Sequence, residues 1–258
     1  TWDRVASGRS THSGSFQKSM AQSMSVSTEH SERIWVTGAS SGLGHALALQ
    51  LLATGHQVAM SGRAPFDPLP ETLKSRCLLL DGDLSDATQA EHMSQQIQQH
   101  WGALDALIIN AGTCDYLDPQ ATGTALFESL IESNLRASAN GVQSALPLLQ
   151  AGQNAHVVGI LSSVTALQQY ESSQWPTAQN SLGQWFSEVR SQLSPKEIDL
   201  TLVGPQTLKK PVTLTVALPQ EWDAQSAASA IIDRLPLRMP EMVLEAMSVS
   251  SLWPLHRD

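Results

Sequence analysis

Short apolar runs alternate with longer amphipathic segments from Glu32 onward. Apolar runs bounded by polar or glycine residues predict strands, and apolar positions spaced three and four residues apart predict helices. The runs are nearly all apolar, as expected where both faces of a sheet are covered. The predicted strands are Ile34–Thr37, Gln57–Ser61, Cys77–Leu80, Ala106–Ile109, His156–Leu161 and Ile198–Val203, and the predicted helices are Gly42–Ala53, Asp86–His100, Leu126–Leu149, Gln179–Leu193 and Ser226–Leu235.

This alternation predicts an α/β fold built on a doubly wound parallel sheet. No internal repeat and no linker rich in proline or glycine divides residues 31–258, so we expect one domain there. Residues 1–30 are rich in serine and lack apolar periodicity, which predicts a disordered leader or a cloning remnant, with a transit peptide as the other interpretation. The last twenty residues, which include Pro240 and Pro254, receive no predicted element.

A glycine-rich turn joins the first predicted strand to the first predicted helix. Glycines let the backbone pass close to a pyrophosphate, and the free N–H groups of a helix start point at its negative charge. The spacing is G-x-x-x-G-x-G, and together with the strand before it and the helix after it this indicates a Rossmann-like dinucleotide site. The residues concerned are Thr37, Gly38, Ser40, Ser41, Gly42, Leu43 and Gly44.

The end of the second predicted strand bears on the choice of cofactor. In a doubly wound fold this point meets the adenosine ribose, and NAD binders place an acid there to accept a hydrogen bond from the 2′-hydroxyl. This chain has Gly62 at that place and Arg63 next. A guanidinium pairs well with a 2′-phosphate, so the residues favour NADP(H). The alternative interpretation of Arg63 is a solvated loop residue.

Composition narrows the possible partners. The net charge of −9 argues against nucleic acid and against an anionic membrane surface. No apolar run approaches the ~18 residues of a membrane helix. Two cysteines, Cys77 and Cys114, are too few for a disulfide framework, which favours the cytoplasm. The histidines show no metal-ligand spacing, so no metal is predicted.

With these features the chain resembles the short-chain dehydrogenases/reductases. The glycine turn matches the family's TGxxxGxG, and four further motifs follow in the family's order. The resemblance implies that Asp83 and Leu84 meet the adenine ring, although Asp83 also suits the start of a helix. Asn110 likewise also suits a simple strand-end turn. The matching residues are Asp83, Leu84, Asn110, Ala111, Gly112, Asn134 and Ser163.

The resemblance also implies a catalytic tyrosine, with a lysine four residues later, and a serine that holds the substrate oxygen. Here Trp175 and Gln179 stand at the tyrosine and lysine positions. An indole N–H only donates a hydrogen bond, and an amide brings no charge to lower the pKa of an acid. Tyr170 is the candidate replacement acid. Cys114 could act as a nucleophile or acid if its pKa were shifted, and the alternative is a plain small side chain. Lys210 could lie near the nicotinamide, and the alternative is a solvated loop charge.

Two main functions remain open. The first is an NADP(H)-dependent oxidoreductase acting on a small carbonyl or alcohol, with the substrate unknown. The second is a catalytically silent NADP(H)-binding sensor or scaffold, indicated by Trp175 and Gln179. A different reaction on the same scaffold, such as a lyase or isomerase step, is a third. The family resemblance implies a homodimer or homotetramer, whereas the apolar stripe of Gln179–Leu193 is equally explained by core packing.

Overall fold

The structure, a computed structural model, describes residues 31–63, 65–110, 124–161, 182–205 and 223–244. For residues 124–132, 182–184, 205 and 243 only the backbone is described. All elements below lie within the unit Glu32–Asp258.

Seven parallel strands form one sheet in the order β3-β2-β1-β4-β5-β6-β7. The order reverses direction between β1 and β4, which is where doubly wound sheets bind ligands at the carboxyl ends of their strands. The predicted α/β doubly wound parallel fold is therefore confirmed. The strands are β1 Arg33–Thr37, β2 Gln57–Gly62, β3 Cys77–Asp81, β4 Ala106–Ile109, β5 His156–Ile160, β6 Asp199–Pro205 and β7 Glu241–Leu244.

Helices cover both faces of the sheet. The sequence missed β7 and the one-turn helix α2, because neither has the length or periodicity that a pattern requires. The helices among the described residues are α1 Gly42–Ala53, α2 Glu71–Lys74, α3 Ala87–Trp101, α4 Thr124–Gln150, α5 Leu182–Leu193 and α6 Ala224–Ile232, with 3₁₀ turns at Ser194–Lys196 and Leu235–Leu237. None of these helices is long and apolar enough to cross a membrane.

Several predicted helix boundaries differ from the observed ones by one to three residues, and two of these differences have a clear physical cause. Asp86 lies outside α3, since its carboxylate accepts hydrogen bonds from the N–H groups of Thr88 and Gln89 and so caps the helix. The last predicted helix was extended too far, because Leu235 begins a separate 3₁₀ turn. Pro236 lacks the N–H group that would continue the α-helical ladder there.

The core has two halves, one on each face of the sheet. Along β1, Ile34 and Val36 point to the half that packs on α1 and α6, whereas Trp35 belongs to the half formed with α3, α4 and α5. The apolar stripe of α5 faces the core. Phe186 is fully buried there, and a Cβ on Gly159 of β5 would lie 2.5 Å from its ring. Core packing therefore explains this part of the stripe without a partner subunit.

A buried polar cluster joins β5, β6 and the segment before β7 on the edge of the sheet opposite the glycine turn. His156 Nε2 lies 2.9 Å from the Thr201 hydroxyl, which donates to the Met239 carbonyl at 2.7 Å. Because that hydroxyl has one proton, His156 Nε2 is the donor in the first bond. Burial, helped by the charge of Arg238 and opposed by Asp199, lowers the pKa of His156 to about 4.

This low pKa predicts that the folded protein loses stability at pH values above those at which carboxylates are protonated. The unfolded chain binds a proton at His156 near pH 6.5, whereas the folded chain binds it only near pH 4. Stability is therefore complete above pH 6.5 and falls as the pH is lowered through this window, by about 1–3 kcal/mol. Urea unfolding at a series of pH values measures it. In His156→Gln the slope in this window is expected to disappear, and an unchanged slope contradicts the assignment.

Candidate functional site

The glycine turn lies at the carboxyl end of β1, at the point where the strand order reverses. Gly38 and Gly42 have φ of +61° and +59°, a backbone conformation that favours glycine. Between them, the Ala39 N–H donates to the Ser61 carbonyl at 2.9 Å. The turn is thus fixed to the end of β2 before α1 begins.

Two glycines in the turn allow a close approach to Asn110, which follows β4. A Cβ on Gly44 would lie 2.3 Å from the Gly38 carbonyl oxygen and 2.6 Å from Asn110 Nδ2. Asn110 donates its backbone N–H to the Thr37 hydroxyl at 3.1 Å and its side-chain amide to the Gly38 carbonyl at 3.2 Å. In the structure Asn110 holds the turn in place, a contribution that goes beyond the strand-end turn considered from the sequence.

The N-terminus of α1 is open toward a ligand. Ser41 precedes the helix without a side-chain capping bond, and the first turn carries no acidic residue. A Cβ on Gly42 would meet no atom within 4 Å among the described residues. The first N–H groups of a helix have no intrahelical partner and carry partial positive charge. This cradle fits a pyrophosphate.

The end of β2 lies beside the same turn. Arg63 is exposed directly after Gly62, whose Cα faces Ser40 of the turn so closely that a Cβ would lie 3.2 Å from the Ser40 hydroxyl. The residues that the sequence assigned to the phosphates and to the ribose phosphate therefore occupy adjacent parts of one sheet edge.

Asp83 and Leu84 follow β3, the strand next to β2 in the sheet. The Asp83 carboxylate accepts the Ser85 N–H at 2.9 Å, which supports the alternative interpretation of Asp83 as part of the turn leading into α3. Leu84 is buried, and its carbonyl accepts a hydrogen bond from Asn140 of α4 at 2.9 Å. The sequence analysis missed Asn140, since an asparagine inside a long helical pattern carries no signal of its own.

The chemical half of the predicted site falls largely outside the described residues. Asn134 lies within α4, where its carbonyl accepts the Ser138 hydroxyl at 2.8 Å. At the end of β5, the Leu161 N–H donates to Val203, which fixes the strand end just before the predicted serine. The predicted residues outside the description are Ala111, Gly112, Cys114, Ser163, Tyr170, Trp175, Gln179 and Lys210.

Comparisons with known proteins agree on one family. The family model for short chain dehydrogenases matches residues 32–220. Dehydrogenase/reductase SDR family member 7 of Mus musculus is 28% identical over 171 residues, which cover 62% of this chain and 50% of that protein. The chain thus spans about half the length of the curated relatives it matches.

Solved structures share the fold. A metagenomic short-chain oxidoreductase in complex with NADP has a TM-score of 0.62 at 19% identity, over 84% of this chain and 98% of that chain. The NADH-dependent reductase A1-R′ has a TM-score of 0.63 at 17% identity, over 84% of this chain and 96% of that chain. With the matched family model and the glycine-turn geometry, these findings lead to one conclusion: the chain belongs to the short-chain dehydrogenase/reductase family of oxidoreductases.

Proposed function

We propose that this chain binds NADP(H) and acts as an oxidoreductase on a small carbonyl or alcohol. The observation that carries the cofactor choice is the pair Gly62 and exposed Arg63 beside the open N-terminus of α1. A carboxylate, which NAD binders place at the end of β2, is absent from position 62, and the next side chain is a cation suited to a 2′-phosphate.

The neighbours by themselves leave the cofactor open, since one is a complex with NADP and another is named NADH-dependent. The assignment to NADP(H) therefore rests on residues of this chain. In the proposal the N–H groups that open α1 hold the pyrophosphate and Arg63 pairs with the 2′-phosphate. Asp83 and Leu84 border the adenine, and Asn110, Ala111 and Gly112 line the floor of the site. The cofactor, when bound, supplies or accepts a hydride.

Proton transfer is the demanding part of this proposal. Ser163 is proposed to hold the substrate oxygen, with Asn134 supporting the site from α4, and Tyr170 is the proposed proton donor. Trp175 and Gln179 replace the phenol and ammonium groups that the family resemblance implies. Because Gln179 replaces the lysine that would favour an ionised phenol, Tyr170 would be a weak catalyst at neutral pH.

A second candidate function follows from the same two residues. An NADP(H)-binding sensor or scaffold needs the phosphate and adenosine half of the site and has no use for an acid. Trp175 and Gln179 favour this silent alternative, because neither side chain can move a proton at neutral pH.

Replacing Arg63 by alanine tests the cofactor assignment. Losing charge-assisted bonds to a phosphate costs about 1.5–3 kcal/mol, so we expect NADPH to bind about 10- to 100-fold more weakly. The affinity for NADH, which lacks the 2′-phosphate, should change little. Fluorescence titration of both nucleotides measures the two affinities. The matched control is Arg63→Lys, which keeps the charge without the bidentate fork and should fall between wild type and alanine. Equal losses for both nucleotides would contradict the assignment.

Restoring the proton-transfer pair separates the two candidate functions. If the chain is silent, the double variant Trp175→Tyr, Gln179→Lys should gain a reductase activity toward generic carbonyls that the parent lacks, because the pair restores a general acid and the cation that tunes it. If the parent already turns over a carbonyl through Tyr170, then Tyr170→Phe should abolish that activity. Consumption of NADPH followed by absorbance measures both. Full turnover in Tyr170→Phe removes the replacement acid from the proposal.

The assembly proposed for this chain is a homodimer or homotetramer, with a small molecule of unknown identity as substrate. Sedimentation equilibrium of the purified protein tests the assembly. A monomer at micromolar concentration would contradict it.

A further inference from the structure

We infer that Asn140 of α4 is a positioning residue for the base of the cofactor. Its side-chain amide orients the Asp83 carboxylate through one peptide unit, the one that joins Leu84 to Ser85. The inference rests on the proposed function, in which Asp83 and Leu84 border the adenine. Asn140 itself touches no nucleotide in this arrangement and acts only through the turn between β3 and α3.

Two hydrogen bonds hold the peptide between Leu84 and Ser85 from opposite sides. Asn140 Nδ2 donates to the Leu84 carbonyl at 2.9 Å, and because a carbonyl oxygen only accepts, the amide must present its nitrogen there. The Ser85 N–H donates to Asp83 Oδ1 at 2.9 Å. A peptide unit is planar and almost always trans, so its C=O and N–H point in opposite directions. Fixing the carbonyl from α4 therefore also fixes the N–H that the carboxylate accepts.

Asp83 is also held by residues close to it in the chain. The Gln89 side chain accepts the Asp83 N–H at 2.9 Å, and the Asp83 carbonyl accepts the Asp86 N–H at 3.1 Å. These partners lie six and three positions further on. Asn140 stands fifty-six positions from Leu84, and their bond is partly buried. It therefore ties the turn to a helix that neither begins nor ends there.

The part of α4 that carries Asn140 is packed firmly against α3. Leu84 and Ala145 are buried in the same half of the core. One helical turn past Asn140, the Ser94 hydroxyl donates to the Ser144 carbonyl at 2.6 Å. Asparagine is a weaker helix former than alanine, so its place inside α4 costs helix propensity, which the bond to the turn offsets. The amide thus reaches the turn from a fixed base.

The orientation of a carboxylate matters most for the base it faces. An ionised carboxylate only accepts hydrogen bonds, so it can pair with the 6-amino group of adenine. Hypoxanthine has a carbonyl oxygen in place of that amino group and would set a second acceptor against the carboxylate. A turn that holds Asp83 in place should therefore prefer adenine, and a loosened turn should lose part of that preference.

Fluorescence titration with NADPH and with its hypoxanthine analogue tests the inference. We expect the wild-type protein to prefer NADPH, and Asn140→Ala to bind NADPH about three- to tenfold more weakly while its affinity for the analogue changes little. Asn140→Asp keeps the shape of the side chain but has no hydrogen to donate when ionised, so it should lose the preference as well. The matched control is Gln143→Ala, which removes an exposed amide from the same helix and should bind both nucleotides as the wild type does.

Amide hydrogen exchange of the protein without nucleotide gives a second measurement. Exchange in residues 82–86 should be faster in Asn140→Ala than in the wild type and unchanged in Gln143→Ala, because the turn opens locally when its tie to α4 is lost. Exchange at the wild-type rate in Asn140→Ala would show that the amide does not hold the turn, and the inference would be overturned.

The titrations separate the inference from the proposed function. Equal losses for NADPH and the analogue in Asn140→Ala would indicate a general structural role, and no loss would indicate none in binding; either result overturns the inference. A wild-type protein that binds both nucleotides equally does not read the base at this turn, so the inference is wrong while NADP(H) binding stands. A wild-type protein that binds neither nucleotide contradicts the proposed function, and the role of Asn140 in binding falls with it.

Discussion

Replacing Gly44 by alanine is expected to abolish measurable NADPH binding and to destabilise the protein by about 1–3 kcal/mol. The added Cβ would lie 2.3 Å from the Gly38 carbonyl oxygen and 2.6 Å from Asn110 Nδ2. The carbonyl oxygen is backbone, and the Asn110 amide is held by its hydrogen bond to that same carbonyl, so neither atom can simply move aside. The glycine turn must shift as a unit.

The effect on binding should exceed the effect on folding. The proposed site holds phosphates through N–H groups at the start of α1, each bond to a charged group contributing about 1.5–3 kcal/mol. Displacing two of them costs about 10²–10⁴-fold in affinity. Fluorescence titration with NADPH and thermal unfolding without nucleotide measure the two effects separately.

Gly141→Ala provides the matched control. Gly141 lies inside α4, and in the part of the chain that the structure describes a Cβ there would meet nothing within 4 Å. Alanine in a helix interior is more favourable than glycine by about 1 kcal/mol, so this variant should be slightly more stable and bind NADPH as the wild type does. NADPH bound normally by Gly44→Ala would show that the turn tolerates the side chain and would remove the geometric basis of the site.

Replacing Asp105 by alanine is expected to cost about 3–5 kcal/mol of stability, because hydrogen bonds to a charged group contribute about 1.5–3 kcal/mol each and several are lost together. Asp105 is 3% exposed at the start of β4. Its two carboxylate oxygens accept the Arg33 guanidinium at 2.9 and 2.8 Å, the Arg33 N–H at 2.8 Å and the Gln153 N–H at 2.8 Å. One side chain thus joins β1, β4 and the loop before β5.

The lowered pKa of Asp105 agrees with its role in joining β1, β4 and the loop before β5. Burial would raise the pKa of the carboxyl, but hydrogen bonds from Arg33 and Gln153 and the charge of Arg33 hold the pKa below its ordinary value. Its contribution is therefore present above the ordinary pKa of an aspartate and lost as the pH falls below it. In Asp105→Ala the Arg33 guanidinium and the N–H groups of Arg33 and Gln153 lose their acceptor together.

Urea unfolding at neutral pH measures the loss, and the melting midpoint should fall by roughly 10 °C. The control is Glu71→Ala, which removes the partner of Lys74 in an exposed pair of α2. Exposed pairs contribute about 0–1 kcal/mol, so this variant should unfold almost as the wild type does. A loss in Asp105→Ala no larger than in Glu71→Ala would contradict the structural role given to Asp105.

The fold was largely predictable from the sequence because its signals are local. The inner strands are buried on both faces and read as continuous apolar runs, and the glycine turn follows β1 directly. Errors arose where the signal was short or depended on neighbours. The strand β7 has four residues and pairs only with β6, and the end of α6 is set by Pro236.

The glycine turn could be located for the same reason, since its glycines stand in one short segment. What the sequence did not indicate are the contacts between distant residues that hold that segment. Asn140 supports Leu84 across fifty-six positions of the chain, and Asn110 binds Gly38 across seventy-two. No spacing rule connects such pairs, because Asn110 meets Gly38 only when β1 and β4 pair, and Asn140 meets Leu84 only when α4 packs beside the end of β3.

The sequence by itself determined the alternation of strands and helices and the family, and it predicts a cofactor half of the site beside an altered chemical half. Each of these follows from residues close together in the chain, where period and spacing act directly. Only the tertiary structure decided that Ser40 lies against Gly62, that Asn110 secures the glycine turn, and that Asp105 joins three elements. Those contacts depend on strand order and register, which result from the burial of the whole sheet and are not carried by any one segment.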